Sequence, residues 1–295
     1  MVREMITKAI LHNQVDKMKI IKNSGDIVDF SRNKLRRSLL RSGASESEIE
    51  NIMLTVESQM HEGMRTRHIY RLVGKMLKKI SSSHAARYNL RTAIQQLGPA
   101  GFFFEKFVSL IFKSEGYEVK TNLTLQGKCV SHEIDVVLRK DKTLTMIECK
   151  FHAGSAAVSD VKVPMYILSR FDDLKNKTHR IFNLKDYIDY CKIVTNNRFT
   201  TDAETFANCV GLDLLSWDSP PSNSLKTKID NNGLYPVTCL TTLTMVEKEK
   251  LLILEIILVK QLIDFPEMLL TIGISENRQK NILNEALGLC KYLLK

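Results

Sequence analysis

Two short apolar runs joined by a charged turn stand out along this chain: Ile134, Val136, Val137 and Leu138, then Leu144, Met146 and Ile147, with Asp141-Lys142 between them. β-Branched and aliphatic residues bounded by a polar turn predict a hairpin. Upstream, Phe102-Phe103-Phe104-Glu105-Lys106-Phe107 opens an amphipathic helix through Phe112, with Gly116-Tyr117 as its left-handed stop. Downstream, Lys192-Ile193-Val194-Thr195 predicts a buried strand, Asp202 to Val210 a short helix, and Leu212 to Leu215 another strand. Near the start, Lys19 to Lys22, a turn over Asn23-Ser24-Gly25-Asp26, and Ile27 to Phe30 predict a second hairpin.

Helical spacing follows that hairpin. Ser31 is placed to cap a first helix with Leu35 and Leu39 inward and Lys34, Arg36, Arg37 and Arg41 outward. Ser45-Glu46-Ser47-Glu48 is a capping-box pattern for a second, carrying Ile49, Ile52, Met53, Val56 and Met60. Thr66 is placed to cap a third through Ile69, Val73, Met76 and Ile80, and His84 to Leu97 continues as a further helix. Beyond Ser216 to Ser224, where Pro220-Pro221 among small polar residues marks a boundary, one long helix is predicted from about Thr244 to Asp264. Glu255, Lys260 and its short length argue for burial in protein rather than in a membrane. Leu269 to Ser275, with Gly273 at the bend, then leads into a helix starting near Glu276.

Three charged residues interrupt the central hairpin where a buried strand would stay apolar: Asp135, Glu148 and Lys150. Folding about Asp141-Lys142 sets Asp135 roughly opposite Glu148, and the period of two puts Glu148 and Lys150 on one face. Two carboxylates at a sheet rim are oxygen ligands suited to Mg²⁺, and a neighbouring ammonium can steady a water or a phosphoryl oxygen. A pair of exposed strand-end ion pairs would leave the same trace in the sequence.

Taken with the "Phe-Glu" helix, "Glu-Ile-Asp-Val-Val", "Ile-Glu-Cys-Lys" and "Val-Thr-Asn…Phe-Thr…Ala", residues 99–218 resemble the PD-(D/E)XK nucleases, specifically the Mrr-like restriction endonuclease branch. The resemblance implies Asp135 and Glu148 as metal ligands together with the Cys149 backbone carbonyl, Lys150 as the catalytic lysine, and Glu105 as an accessory acid. His132 and His152 flank these positions and are candidates for the scissile phosphate. The activity implied is Mg²⁺-dependent DNA hydrolysis.

Residues 18–98 are similar to the ATP-cone, a nucleotide-sensing module whose signature is strand, Lys, two residues, Gly, strand, Phe, then a helix with an early Lys. By position the resemblance implies nucleotide contact at Lys22, Lys34 and Thr66, with Arg87 and Arg91 as phosphate partners and ATP or dATP as the effector. The chain departs from the family at Asn23, where an Arg is usual, which leaves open a cone that serves DNA binding or dimerisation instead. Residues 269–276 look like a helix-hairpin-helix, a non-specific DNA-backbone element.

Charge fits these partners. The chain carries a formal +10, and residues 18–98 hold fifteen Lys and Arg against seven Asp and Glu, an excess of eight. A basic surface of that kind attracts polyanions, nucleotide or duplex alike. With 295 residues, 44% hydrophobic and 26% charged, the composition is that of a folded protein of two or three domains. The six cysteines (129, 149, 191, 209, 239, 290) show no CxxC pair or zinc spacing and read as reduced, and residues 1–14 lack the apolar core of a signal peptide, so the expectation is cytoplasmic. There is no Walker P-loop, so nucleotide would be sensed rather than hydrolysed.

The expectation is therefore a multidomain α/β protein. A tail over 1–17 precedes an ATP-cone of hairpin plus helices at 18–98. A nuclease core with a mixed sheet follows at 99–218, joined at the Gly98-Pro99-Ala100-Gly101 hinge, and a helical module closes the chain at 219–295. It would act on DNA, without a membrane, as a homodimer or higher oligomer. A catalytically silent, nucleotide-responsive DNA-binding regulator is the alternative.

Overall fold

The computed structural model describes residues 18–98, 101–183 and 185–291. The tail over 1–17, with the reading of residues 1–14, lies outside them, as do Pro99 and Ala100 of the expected hinge.

The N-terminal module begins with β1 (Lys19–Ile21) and β2 (Ile27–Asp29), antiparallel about a turn where Lys22 N–H donates to Asp26 O and Gly25 has φ +91°. A positive φ there suits glycine alone. Helix α1 (Arg32–Ser42) is capped by Ser31, and α2 (Glu46–Gln59) has the full capping box of Ser45 and Glu48. Strand β3 (Met64–Arg65) pairs parallel with β1 and completes a three-stranded sheet in the order β2-β1-β3.

Helix α3 (Thr66–Ile80) corrects one expectation: pairing with β1 keeps Arg65 extended, so Arg65 holds the cap position without a side-chain bond and Thr66 is already the first helical residue. The predicted helix over 84–97 divides at Asn89 into α4 (Ser82–Tyr88) and α5 (Leu90–Gln95). Ile20, Phe30, Leu39, Ile49, Ile52, Val56, Val73 and Leu77 form this module's core.

Helix α6 (Phe102–Ser114) leads into β4 (Glu118–Gln126), β5 (Ser131–Lys140) and β6 (Thr143–Lys150), an antiparallel meander. Then come β7 (Val158–Ser159), α7 (Lys162–Leu174), the small hairpin β8 (His179–Arg180) and β9 (Lys185–Asp186), β10 (Tyr190–Thr195), β11 (Arg198–Phe199), α8 (Thr201–Val210) and β12 (Asp213–Leu215). β10 runs parallel to both β6 and β12, which gives a mixed five-stranded sheet in the order β12-β10-β6-β5-β4. One face packs on α7 and α8 through Val137, Met146, Ile167 and Ala203, and the other packs on α6 through Val136, Ile147, Phe104 and Ile111.

The C-terminal part comprises α9 (Leu225–Asn232), a 3-10 turn at Val237–Cys239, α10 (Met245–Ile253), α11 (Val259–Asp264), α12 (Met268–Thr271) and α13 (Glu276–Cys290). The single long helix expected over 244–264 is broken. Glu255 turns at φ +62°, and Ile256 to Leu258 run extended because Val237 N–H donates to Ile257 O and Val259 N–H donates to Tyr235 O. The apolar run 251–259 therefore serves two elements at different angles rather than one face of one helix.

Packing does not respect the sequence boundaries. Leu90, Ile94 and Leu97 of the N-terminal module share one continuous core with α6, the sheet, α10 and α13. Arg87 fixes the seam, donating to Ser42 O at the end of α1 and to Gly288 O and Leu289 O at the end of α13. No helix among the described residues is long and apolar enough to cross a membrane.

Candidate active site

The β5–β6 ladder ends at the pair Val136 and Ile147; β5 continues beside β4 and β6 beside β10, so Asp135 and Glu148 each follow the last pair where the two strands part. Asp135 Oδ2 accepts from Cys149 N–H at 2.7 Å. Glu148 is 5% exposed and held at both oxygens, by Lys150 Nζ at 2.7 Å and by Arg170 Nη1 of α7 at 2.6 Å. Arg170 also donates to Glu133 O. Glu105 enters from the first turn of α6, beginning one residue after Gly101 (φ +83°), where a Cβ would sit 3.6 Å from Glu105 Oε1.

Electrostatics ties the four groups together. Asp135 is pushed up to about 7, mainly by burial, then by the charges of Glu148 and Glu105, against the pull of the Cys149 N–H and Lys150. Burial and Glu148 also raise Glu105, with Lys150 opposing. Three carboxylates therefore compete for too little positive charge, the situation a divalent cation relieves. Among the described residues no three His, Cys, Asp or Glu side chains surround one point. Asp135, Glu148 and the Cys149 carbonyl, completed by water, form the sparser oxygen set that Mg²⁺ accepts, so these residues fit the ion.

The neighbouring loop is clasped from β10 and β11. Thr195 Oγ1 donates to Lys150 O at 2.7 Å, Asn196 exchanges two bonds with the His152 backbone, and Asn197 Nδ2 donates to Gly154 O and Ala157 O. His152 follows Lys150 by two residues and meets Ser159 Oγ at 3.0 Å, with its pKa lowered by burial and then by Lys150. His132 is engaged elsewhere, with Asp173, which also accepts from Cys129 N–H and Val130 N–H. Sequence reasoning missed Arg170, Asn196 and Asn197. Asn196 lies inside the quoted "Val-Thr-Asn" segment, whereas nothing local marks Arg170.

In the N-terminal module the parallel pairing of Ile21 with Arg65 brings Lys22, which is exposed, alongside half-buried Thr66. Lys34 is exposed on the first turn of α1. Arg87 reaches the opposite end of α1, about 12 Å along the helix at 1.5 Å per residue. Arg91 lies over Trp217 of the central domain, 5.8 Å from the ring centroid.

Residues 99–218 match a restriction endonuclease family model, and residues 235–290 match the model of the AF1548-like C-terminal domain. An uncharacterized protein of Archaeoglobus fulgidus is 32% identical over 180 residues, which cover 60% of this chain and 95% of that one. The chain belongs to the AF1548-like family. The crystal structure of AF1548, a protein of unknown function, superposes with a TM-score of 0.52 at 30% identity, covering 65% of this chain and 97% of that one. Neither family model extends over the N-terminal module of this AF1548-like chain. VC1899 from Vibrio cholerae and Can2 from Sulfobacillus thermosulfidooxidans, the latter in complex with cyclic tetra-adenylate, align at 16% and 17% identity. They cover 64% and 67% of this chain and 54% of each of theirs, both with a TM-score of 0.30, too loose a superposition to carry chemistry across. Belonging to the AF1548-like family with a restriction-endonuclease domain makes the central domain nuclease-like.

Proposed function

We propose that the protein is a Mg²⁺-dependent DNA endonuclease whose activity responds to ATP or dATP at an N-terminal ATP-cone. The observation that carries the catalytic half is the coupled group of Asp135 in the middle of β5, Glu148 and Lys150 at the end of β6, and Glu105 in the first turn of α6. Asp135, Glu148 and the Cys149 carbonyl would hold the ion. Mg²⁺, when bound, supplies Lewis acidity at a phosphoryl oxygen and lowers the pKa of a coordinated water.

The chain's own groups do the rest. Asp135 and Glu148 would hold the ion as carboxylates, Glu148 Oε1 being shared with Lys150. The Lys150 ammonium would steady the attacking water and the charge growing on the phosphoryl oxygens. Water oxygen bonds to phosphorus as the bond to the sugar oxygen breaks, and Glu105, with its raised pKa, is placed to exchange protons nearby.

On the regulatory side, Lys22, Lys34 and Thr66 are the nucleotide contacts proposed, Lys22 offering an exposed cation at the β1–β2 turn and Lys34 another on the first turn of α1. Arg87 acts in this reading through the seam with α13 rather than on phosphate. The protein would work on DNA in the cytoplasm as a homodimer or higher oligomer, since one site per chain cuts one strand.

A catalytically silent, nucleotide-responsive DNA-binding regulator is favoured by one observation: both oxygens of Glu148 already have cationic partners. Cleavage of supercoiled plasmid by wild type and Lys150→Ala, each with Mg²⁺ or EDTA and with or without ATP, separates the two. Nicking that needs both Mg²⁺ and Lys150 supports the nuclease, whereas DNA retarded on a gel but never cut supports the regulator.

A further inference from the structure

The seam between the N-terminal helices and the nuclease domain holds two arginines with no anionic partner bonded to them among the described residues. Arg91, on α5, has Nε and Nη2 closed to solvent with no hydrogen-bond partner among the described residues. Those two atoms are one edge of the guanidinium, the fork that matches two oxygens of a phosphate. Gln95, one helical turn on and on the same face, has its Nε2 in the same condition. The guanidinium lies 5.8 Å over the Trp217 ring, and Trp217 N–H donates to Asn197 O, the residue before Arg198.

Arg198 is exposed and, among the described residues, makes no ion pair or side-chain hydrogen bond. Its charge opposes that of Arg91, which exposed Asp218 favours without bonding to it. Like charges set together at a seam, with a fork edge unpaired, cost free energy in the free protein that an incoming anion recovers. Position says which anion. Asn196 and Asn197, just before Arg198, clasp the loop that follows Lys150, so Arg198 sits on the segment bordering the proposed cleavage site.

We infer that Arg198 and Arg91 form a phosphate-binding pair that holds the DNA backbone beside the cleavage site, joining the N-terminal helices to the bound duplex. The inference rests on the nuclease reading for its occupant. Arg198 makes the first contact. Arg91 follows by turning its fork outward from Trp217, and Asp218 competes with the phosphate for Arg91. Trp217 is buried and offers no face for a base, which favours the sugar-phosphate backbone over a stacked nucleotide.

The test is fluorescence anisotropy of a labelled DNA duplex with the full chain in EDTA, so that nothing is cut, across a salt series. Arg198→Gln should weaken binding about tenfold and lower the salt slope by about one, as for loss of one phosphate contact. Asp218→Asn should bind more tightly than wild type, an opposite sign that misfolding does not produce. Wild-type affinity in both variants overturns the pair, while plasmid cleavage that still needs Lys150 would leave the nuclease reading standing. If wild type binds no duplex, the pair falls together with the DNA half of that reading. If Arg198→Gln abolishes thermal stabilisation by ATP and leaves duplex affinity intact, the occupant is nucleotide and the inference is wrong.

Discussion

Arg170 Nη1 donates to Glu148 Oε2 at 2.6 Å, with both side chains nearly closed to solvent. The guanidinium comes from α7, on the far side of the sheet from Glu105, and also donates to Glu133 O on β5. It therefore fixes where the Glu148 carboxylate points, and leaves Glu148 Oε1 to Lys150 or to a metal.

Loss of that grip should appear as a metal defect. Removing a group that orients a metal-ligating carboxylate costs about 10- to 100-fold in metal affinity or activity. Arg170→Ala should raise the Mg²⁺ concentration for half-maximal plasmid cleavage by about that factor, with partial rescue at high Mg²⁺. Arg170→Lys, which keeps the charge and loses the two-point grip, should fall between. An unchanged Mg²⁺ titration in Arg170→Ala would show that Glu148 is not a ligand.

Asp135 sets the pH dependence of the metal-free protein. Its folded pKa of about 7 lies above an unfolded value near 4, so the native state binds the extra proton between them and stability falls as pH rises through that window. Asp135→Asn removes the penalty and keeps an oxygen for the Cys149 N–H. In EDTA it should match wild type near pH 4 and exceed it at pH 8, by about 2 to 4 kcal/mol at most. A Tm difference that does not change with pH would show that the carboxyl is not held up by its neighbours.

The central hairpin was legible in the sequence because its signal is local: a β-branched run, a charged turn and a period of two suffice to pair the strand that carries Asp135 with the strand that carries Glu148. The helix starts at Ser31 and Ser45 were legible for the same reason, since a cap is a matter of three or four residues. What failed depends on contacts distant in the chain. The expected helix over 244–264 had the right apolar content, but Tyr235 and Val237 capture the backbone at Ile257 and Val259, and no local pattern announces that. Arg170 was invisible likewise, because it meets Glu148 only after the chain passes through β7 and α7. The spans 18–98 and 99–218 came from two separate resemblances, and the shared core of Leu90, Ile94 and Leu97 with Phe104 and Phe107 is a contact between them that neither resemblance announces.

Glu285 shows what holds the C-terminal helices in place. Its buried carboxylate accepts from the backbone N–H and hydroxyl of both Thr241 and Thr242. Alanine there leaves two peptide N–H groups and two hydroxyls without their acceptor, at about 1 to 3 kcal/mol for each donor left buried. Glu285→Ala should destabilise the chain by about 3 kcal/mol or more in urea unfolding. Glu285→Gln, which keeps an acceptor, should lose clearly less. Equal losses in the two variants would mean that packing around α13, and not the four donors, sets the cost.

The N-terminal module makes a prediction that turns on one substitution in the chain itself. Lys22 and Thr66 each follow the last pair of β1 and β3, Ile21 with Arg65, and Asn23 occupies the position where the proposed ATP-cone reading would call for arginine. If Lys22 and Lys34 suffice for a triphosphate, ATP or dATP at a hundred times its Kd adds about 2.7 kcal/mol to stability, enough to raise Tm by several degrees. Lys22→Ala should abolish that shift without changing Tm in the absence of nucleotide, since its side chain is exposed. Asn23→Arg should move the midpoint of the titration to lower nucleotide concentration, because a second cation beside the same turn adds a charge-assisted bond of about 1.5 to 3 kcal/mol. Thermal-shift titrations of wild type and both variants decide the matter. No response in wild type with one restored by Asn23→Arg would mean that the module binds no nucleotide as it stands, and that its hairpin and helices serve the seam with α13.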